Sequence, residues 1–254
     1  MGPPASAGSA AARTRAPIAC GEAWAPTPST SARTPGIRAS IASSTTANGA
    51  TVTIDDRADD GADRGAEGDN VGTGVESITG TDGDDTLTGV GAFNNTFAGG
   101  GGNDMLFAGE GDDFLAGGSG DDVMTGDEGS DRVTYRNAGT GYSTRDGVTV
   151  TEDGEANDGV PGERDDVGGR VGDVEYLYGG VGDDVLDLSG YGGGVGANPP
   201  APDGVVVSGF DGNDTLTGTR GSDYLEGGNG DSDVLDCRGG EDIVVTGETL
   251  IDCP

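Results

Sequence analysis

The chain has 254 residues, 53 of them glycine and only 5% aromatic, with a formal net charge of −33 and no histidine. So little apolar material excludes a conventional globular core, and the missing histidine excludes Ser-His-Asp catalysis and HExxH zinc hydrolysis. The acidic surface repels nucleic acid and anionic membranes and gathers cations. Disordered chains share this composition, so a fold must come from regularity.

Residues 1–45 stand apart, with four arginines (Arg13, Arg15, Arg33 and Arg38), one acid (Glu22) and the isolated Cys20 in an Ala/Pro/Ser/Thr background. Their apolar stretch "APIAC" is too short for a secretory signal, which needs an apolar region of about 7–15 residues. No run approaches the roughly 20 residues that span a bilayer. The segment is expected to be a disordered tail, or a misassigned start that hides the export signal.

Residues 46–79 form a linker module. "ATVTI" reads as a strand by its alternation, and the acidic loop 55–69 follows. Residues 80–134 then repeat one phrase. Asp104, Asp113, Asp122 and Asp131 fall nine residues apart, each two residues ahead of Leu106, Leu115, Met124 or Val133. "GTDGDDTLT" places Asp85 in the same phase, whereas "GVGAFNNTFA" carries one extra residue and Asn95. Turn glycines are replaced by Ala108 and Asp127 here, and by Phe210, Thr219 and Arg238 further on, which predicts strained turns.

Residues 135–178 are a strand-rich insertion, because 147–186 parallels 50–87: a strand, an acidic loop (152–166), Val-Glu and a nonapeptide. The two acidic loops are expected to be solvated turns rather than extra cation sites, and Tyr135, Tyr142, Tyr176 and Tyr178 strand packing. Residues 179–254 are a second array, interrupted by the Gly/Pro-rich 191–204. It carries Asp184, Asp214, Asp223, Asp242 and, after one inserted residue, Asp233. The unit 179–187 is expected to lack a partner coil. Cys237 and Cys253 either remain thiols or close a short loop; the bridge is expected, and would stabilise by about 3 kcal/mol.

A turn plus a three-residue strand buries nothing alone, but stacking such units makes an apolar ladder flanked by two rows of turns. Stacked coils lie about 4.8 Å apart, and carboxylates at that spacing repel unless a cation intervenes. Asp carboxylates and glycine carbonyls supply only oxygen, which suits a hard divalent ion; a slot needing six to eight oxygens favours calcium over magnesium.

The phrase GGxGxDxUx, with U apolar, is carried by 99–107 and 117–125, and with single departures by 80–88, 108–116, 126–134 and 209–217. It resembles the RTX (repeats-in-toxin, hemolysin-type) calcium-binding family. "VTVTEDGEANDGVPGERDDV" leading into "VEYLYGG" looks like the modules of secreted actinobacterial RTX-repeat proteins. The resemblance implies an all-β chain forming a parallel β-roll (β-solenoid), two nonapeptides per coil, with calcium between turns two repeats apart. It would pair Asp104 with Asp122 and Asp113 with Asp131. Turn carbonyls from Gly99, Gly102, Gly111, Gly117, Gly120 and Gly129 would complete these sites. Asp85, Asp184, Asp214, Asp223, Asp233 and Asp242 would act alike, and Asn95 would bind weakly or not at all.

The expected function is calcium binding, several ions per chain, by a secreted, non-enzymatic protein that folds on binding. It would have no membrane span or nucleic-acid partner, and contacts with a cell surface or extracellular matrix. The alternatives are the repeat and export part of a larger RTX toxin or exoenzyme, or a cell-surface adhesion spacer.

Overall fold

The computed structural model describes residues 19–20, 37–40, 49–61, 69–136, 146–168, 174–191 and 204–253. Twenty short strands form three sheets, and among the described residues there is no helix. One sheet has ten strands in the order β1 (Ala19–Cys20), β2 (Ile37–Ser40), β4 (Val75–Thr79), β6 (Thr96–Gly101), β8 (Phe114–Ser119), β10 (Arg132–Thr134), β13 (Tyr176–Tyr178), β15 (Val206–Asp211), β17 (Tyr224–Asn229) and β19 (Ile243–Val245). A five-stranded sheet runs β3 (Ala50–Thr53), β5 (Thr86–Thr88), β7 (Met105–Glu110), β9 (Val123–Glu128) and β12 (Asp166–Val167). The other runs β11 (Thr149–Thr151), β14 (Val185–Asp187), β16 (Thr215–Thr217), β18 (Val234–Asp236) and β20 (Thr249–Ile251).

Apart from the antiparallel β1–β2 pair, all neighbouring strands are parallel. Successive nonapeptides alternate between the long sheet and a short one, so pairing runs two repeats apart, as in Thr96 with Phe114 and Met105 with Val123. This is the parallel β-roll. Most of 1–45 lies outside the described residues; within it, β2 joins the long sheet beside β4.

The apolar residue of each repeat points inward and meets its counterpart in the next coil. Val52, Leu87, Leu106, Met124 and Val167 form one such row; Val150, Leu186, Leu216 and Leu235 form another. Facing them across the roll are Ile78, Phe97, Leu115, Val133, Leu177, Val207 and Leu225, every one of these residues at most 1% exposed. Each is worth about 1.5–3 kcal/mol of apolar burial. One side chain per nine residues therefore suffices, provided its neighbours stay in register.

The long sheet keeps its register across the insertion, Arg132 pairing with Tyr176. On the other side Val123 pairs with Asp166, so that β12 ends one short sheet, and β11 begins the other. The unit 179–187, expected to stand alone, does not: its strand β14 sits between β11 and β16. Sequence reading missed this because the partners arrive from loops of other lengths.

Turn strain falls on three of the five substituted glycine positions. Asp127 (φ 73°), Phe210 (φ 76°) and Arg238 (φ 57°) take the left-handed conformation that Gly100 and Gly118 take elsewhere, at roughly 1–2 kcal/mol each for a residue with a Cβ. Ala108 and Thr219 keep negative φ, so no strain arises there. Cys237 and Cys253 form a disulfide, Cα–Cα 5.0 Å, tying the end of β18 to the segment after β20. No helix among the described residues is long and apolar enough to cross a membrane.

Candidate metal centres

The conserved-phase carboxylates, two residues ahead of each inward apolar side chain, line up as ladders along the turns. Each accepts, through one oxygen, the backbone N–H of the corresponding residue one coil earlier. Thus Asp85 N–H donates to Asp104 Oδ1 (2.8 Å), Asp104 N–H to Asp122 Oδ1 (2.8 Å) and Asp122 N–H to Asp165 Oδ1 (2.9 Å). On the long sheet's edge Asn95 N–H donates to Asp113, Asp113 N–H to Asp131 and Asp131 N–H to Glu175. The second array repeats the pattern from Asp184 to Asp214, from Asp214 to Asp233, and from Asp223 to Asp242.

The preceding residue runs a second ladder the opposite way. Asn103 N–H donates to Asp84, Asp121 N–H to Asn103 Oδ1, and Arg164 donates to Asp121 through its N–H (3.0 Å) and guanidinium (2.8 Å). Each coil is therefore held to the next in both directions by side-chain oxygens, which pins the register.

The remaining carboxylate oxygens separate the ten candidate aspartates. Asp85, Asp184 and Asp223 have theirs satisfied inside the turn by the N–H of Thr81, Gly180 and Thr219, respectively. By contrast, Oδ2 of Asp104, Asp113, Asp122, Asp214, Asp233 and Asp242 is buried and has no hydrogen-bond donor. In Asp104, Asp122, Asp214 and Asp233 this atom lies against the glycine that opens the repeat, whereas Ala108 and Cys237 hold that place for Asp113 and Asp242. A Cβ on Gly99 would strike Asp104 Oδ2 and the carbonyl oxygen of Gly117, and one on Gly117 would strike Asp122 Oδ2. Gly179 and Asp184, and Gly209 and Asp214, are related in the same way.

The other candidate glycines stack coil on coil. The carbonyl of Gly102 abuts Gly120, that of Gly111 abuts Gly129, and both Gly120 and Gly129 have positive φ. Two oxygens thus converge over a bare Cα with no proton between them. That donor set is all oxygen, as a hard divalent cation requires. Among the described residues no three acidic, thiol or imidazole side chains share one point; the sites would instead combine carboxylate with carbonyl oxygen.

The electrostatics follow from this burial. Desolvation pushes the Asp104 carboxyl up to about 8, helped by Asp122, Asp85 and Asp84 nearby. Asp214 is pushed to about 7, and Asp113, Asp122 and Asp184 to about 6, again mainly by burial. The neighbouring charges that act on Asp104, Asp122 and Asp214 are all carboxylates. Positive charge brought in beside them would hold Asp104 and Asp214 ionised near neutral pH.

Asn95 differs as its chemistry requires. Its Nδ2 donates to Phe93 O (2.9 Å) and Ala108 O (3.2 Å), so an amide proton sits on the turn carbonyl. Several ladder members were missed in the sequence: Asp165, Glu175 and Glu248. Their turns lack the glycine pattern, yet each still lies two residues before an apolar one, Val167, Leu177 and Leu250.

The acidic loops are only partly solvated turns. Asp60 and Asp158 are each 1% exposed. Asp60 accepts the N–H of Thr53 and Val71, and Asp158 those of Thr151 and Val167, which folds the loops back on themselves. Tyr135 also does more than pack: its hydroxyl donates to Asp165 Oδ2 at 2.9 Å. Tyr142 lies outside the described residues.

The family model for the RTX calcium-binding nonapeptide repeat (4 copies) matches residues 65–89, 90–124, 98–133, 172–190 and 208–244. These matches cover both arrays and the unit between them. No curated protein and no solved structure matches the chain.

Proposed function

The chain belongs to the RTX calcium-binding nonapeptide-repeat family, and from that premise we propose that it takes up several calcium ions along its turns and folds as it does so, outside the cell and without catalysis. The observation that carries this reading is the set of buried Oδ2 atoms on Asp104, Asp113, Asp122, Asp214, Asp233 and Asp242 that have no donor, those of Asp104 and Asp233 beside the carbonyl oxygens of Gly117 and Thr246. When bound, calcium would supply the positive charge that lets stacked carboxylates remain ionised. The chain's own part is to hold those oxygens in register and keep water out of the turns.

Burying these groups uncompensated costs more than one apolar residue per repeat returns. Folding and ion uptake are then one equilibrium, and stability rises with free ion concentration by mass action. Modules tuned to extracellular calcium bind at about 10⁻⁴–10⁻³ M. Such a chain would be unstructured where calcium is micromolar and folded after export, where the Cys237–Cys253 disulfide also persists. Asp104, Asp113, Asp122 and Asp214 are buried in their turns, which favours a binding role over a hydrolytic one.

Far-ultraviolet circular dichroism during a calcium titration, with magnesium as control, tests this. Strand signal is expected to appear at millimolar calcium and not at equal magnesium. A full strand signal in chelator at pH 7.5 would overturn the coupling of folding to the ion.

A further inference from the structure

Some rungs of the ladders already hold a proton donor from the chain. Where a row of carboxylates begins, Thr81 N–H reaches Asp85, Gly180 N–H reaches Asp184 and Thr219 N–H reaches Asp223, and where Asn95 stands in an aspartate's place its amide covers Ala108 O. At the far end of the first array the last carboxylates meet phenols. Tyr135 Oη donates to Asp165 Oδ2 (2.9 Å), and Tyr191 Oη to Glu175 Oε1 (2.7 Å). Asp165 and Glu175 are buried at 1% and 7% exposure. The tyrosines stand 30 and 16 residues from their partners in sequence.

Resting on the calcium reading, we infer that the ladders carry built-in, metal-independent terminators: a turn amide at Asp85, Asp184 and Asp223, where a row of carboxylates begins, and a tyrosine hydroxyl at Asp165 and Glu175, where the two rows of the first array end, so that cations enter only the rungs that lack such a donor. A stack of carboxylates needs charge compensation at every interior step. Where a row of carboxylates begins, the coil before it presents Ala50, Val148 or Val205 instead of a carboxylate, and a cation there would be under-coordinated. A proton donor fixed by the fold closes the row without one. Arg164, paired with Asp121, closes the outer ladder on the same edge. Tyr135 and Tyr191 are thus positioning residues that set where ion uptake stops, and the insertion that delivers Asp165 and Arg164 is an internal cap.

Equilibrium dialysis against calcium, combined with the folding titration, tests this on the full chain. Asp104→Asn is expected to fold and bind fewer ions, its amide covering Gly117 O as that of Asn95 covers Ala108 O. Asp85→Asn is expected to keep the wild-type number. Tyr135→Phe removes a buried hydrogen bond to a carboxylate and should raise the calcium midpoint about twofold when several ions bind together. Adding Asp165→Asn to it should return the midpoint toward wild type, because the buried charge is gone. Loss of an ion in Asp85→Asn, or a Tyr135→Phe midpoint equal to wild type, overturns the inference. Failure of the double variant to recover also overturns it. Wild type that takes up no calcium overturns instead the reading on which the inference rests.

Discussion

Protons should be able to replace calcium. The perturbation is acidification of the chelated chain from pH 8 to pH 4.5. Burial pushes Asp104 and Asp165 up to about 8 and Asp214 to about 7, against about 3.9 in an unfolded chain. The folded state therefore holds more protons than the unfolded one between about pH 4 and pH 8, so stability falls as pH rises through that window. The contribution is fully present below the unfolded value and is lost as each carboxyl ionises in the fold. One pKa unit is about 1.4 kcal/mol, so Asp104 alone withdraws on the order of 5 kcal/mol between pH 4 and pH 8. That is comparable to the whole stability of a small domain, about 5–15 kcal/mol, and Asp165 and Asp214 add to it. The chain without calcium should be unfolded at pH 8 and gain strand structure near pH 5. Circular dichroism in chelator across this range reads the effect. Dilute samples and sedimentation are needed to separate folding from association, since the sequence pI is near 4.1. Strand content that is flat, or that rises toward pH 8, would refute the reasoning.

Three further outcomes are expected. Gly99→Ala should lower calcium uptake and raise the folding midpoint, because its methyl would occupy the space of Asp104 Oδ2 and Gly117 O at a position whose φ is not left-handed; unchanged uptake by dialysis would show that the cradle is not the site. Asp127→Gly should stabilise the calcium-loaded roll by about 1 kcal/mol through relief of the left-handed strain at φ 73°, read as a higher Tm at fixed calcium. Replacing Cys237 and Cys253 by Ser should cost about 3 kcal/mol for a loop of this length, read as faster proteolytic loss of the last coil; equal cleavage rates would mean that the disulfide adds nothing there.

Much of this architecture could be read from one relation, a carboxylate two residues before an apolar side chain after a glycine-rich turn. That relation located the strands β5 to β10, β14 and β16 to β19, because a nine-residue phase repeated over consecutive units leaves little freedom in how the coils stack; β15 escaped it, since Val205 stands where the carboxylate would be. It weakened where the turn changed length. Asp165, Glu175 and Glu248 keep the two-residue offset, but the glycine signal that draws attention to it is gone. The hydroxyls of Tyr135 and Tyr191 were not legible, since their partners lie 30 and 16 residues away, outside the nine-residue phase. Nor could sequence tell Asp85 from Asp104. Both stand at the same repeat position with a coil before them, and only the donating Thr81 amide makes one oxygen satisfied and the other bare.

Equilibrium dialysis of the purified chain at pH 7.5 against millimolar calcium, beside equal magnesium, addresses the central claim most directly. Uptake of several calcium ions per chain, with little magnesium, is the expected result; a chain that leaves dialysis with neither would contradict the account.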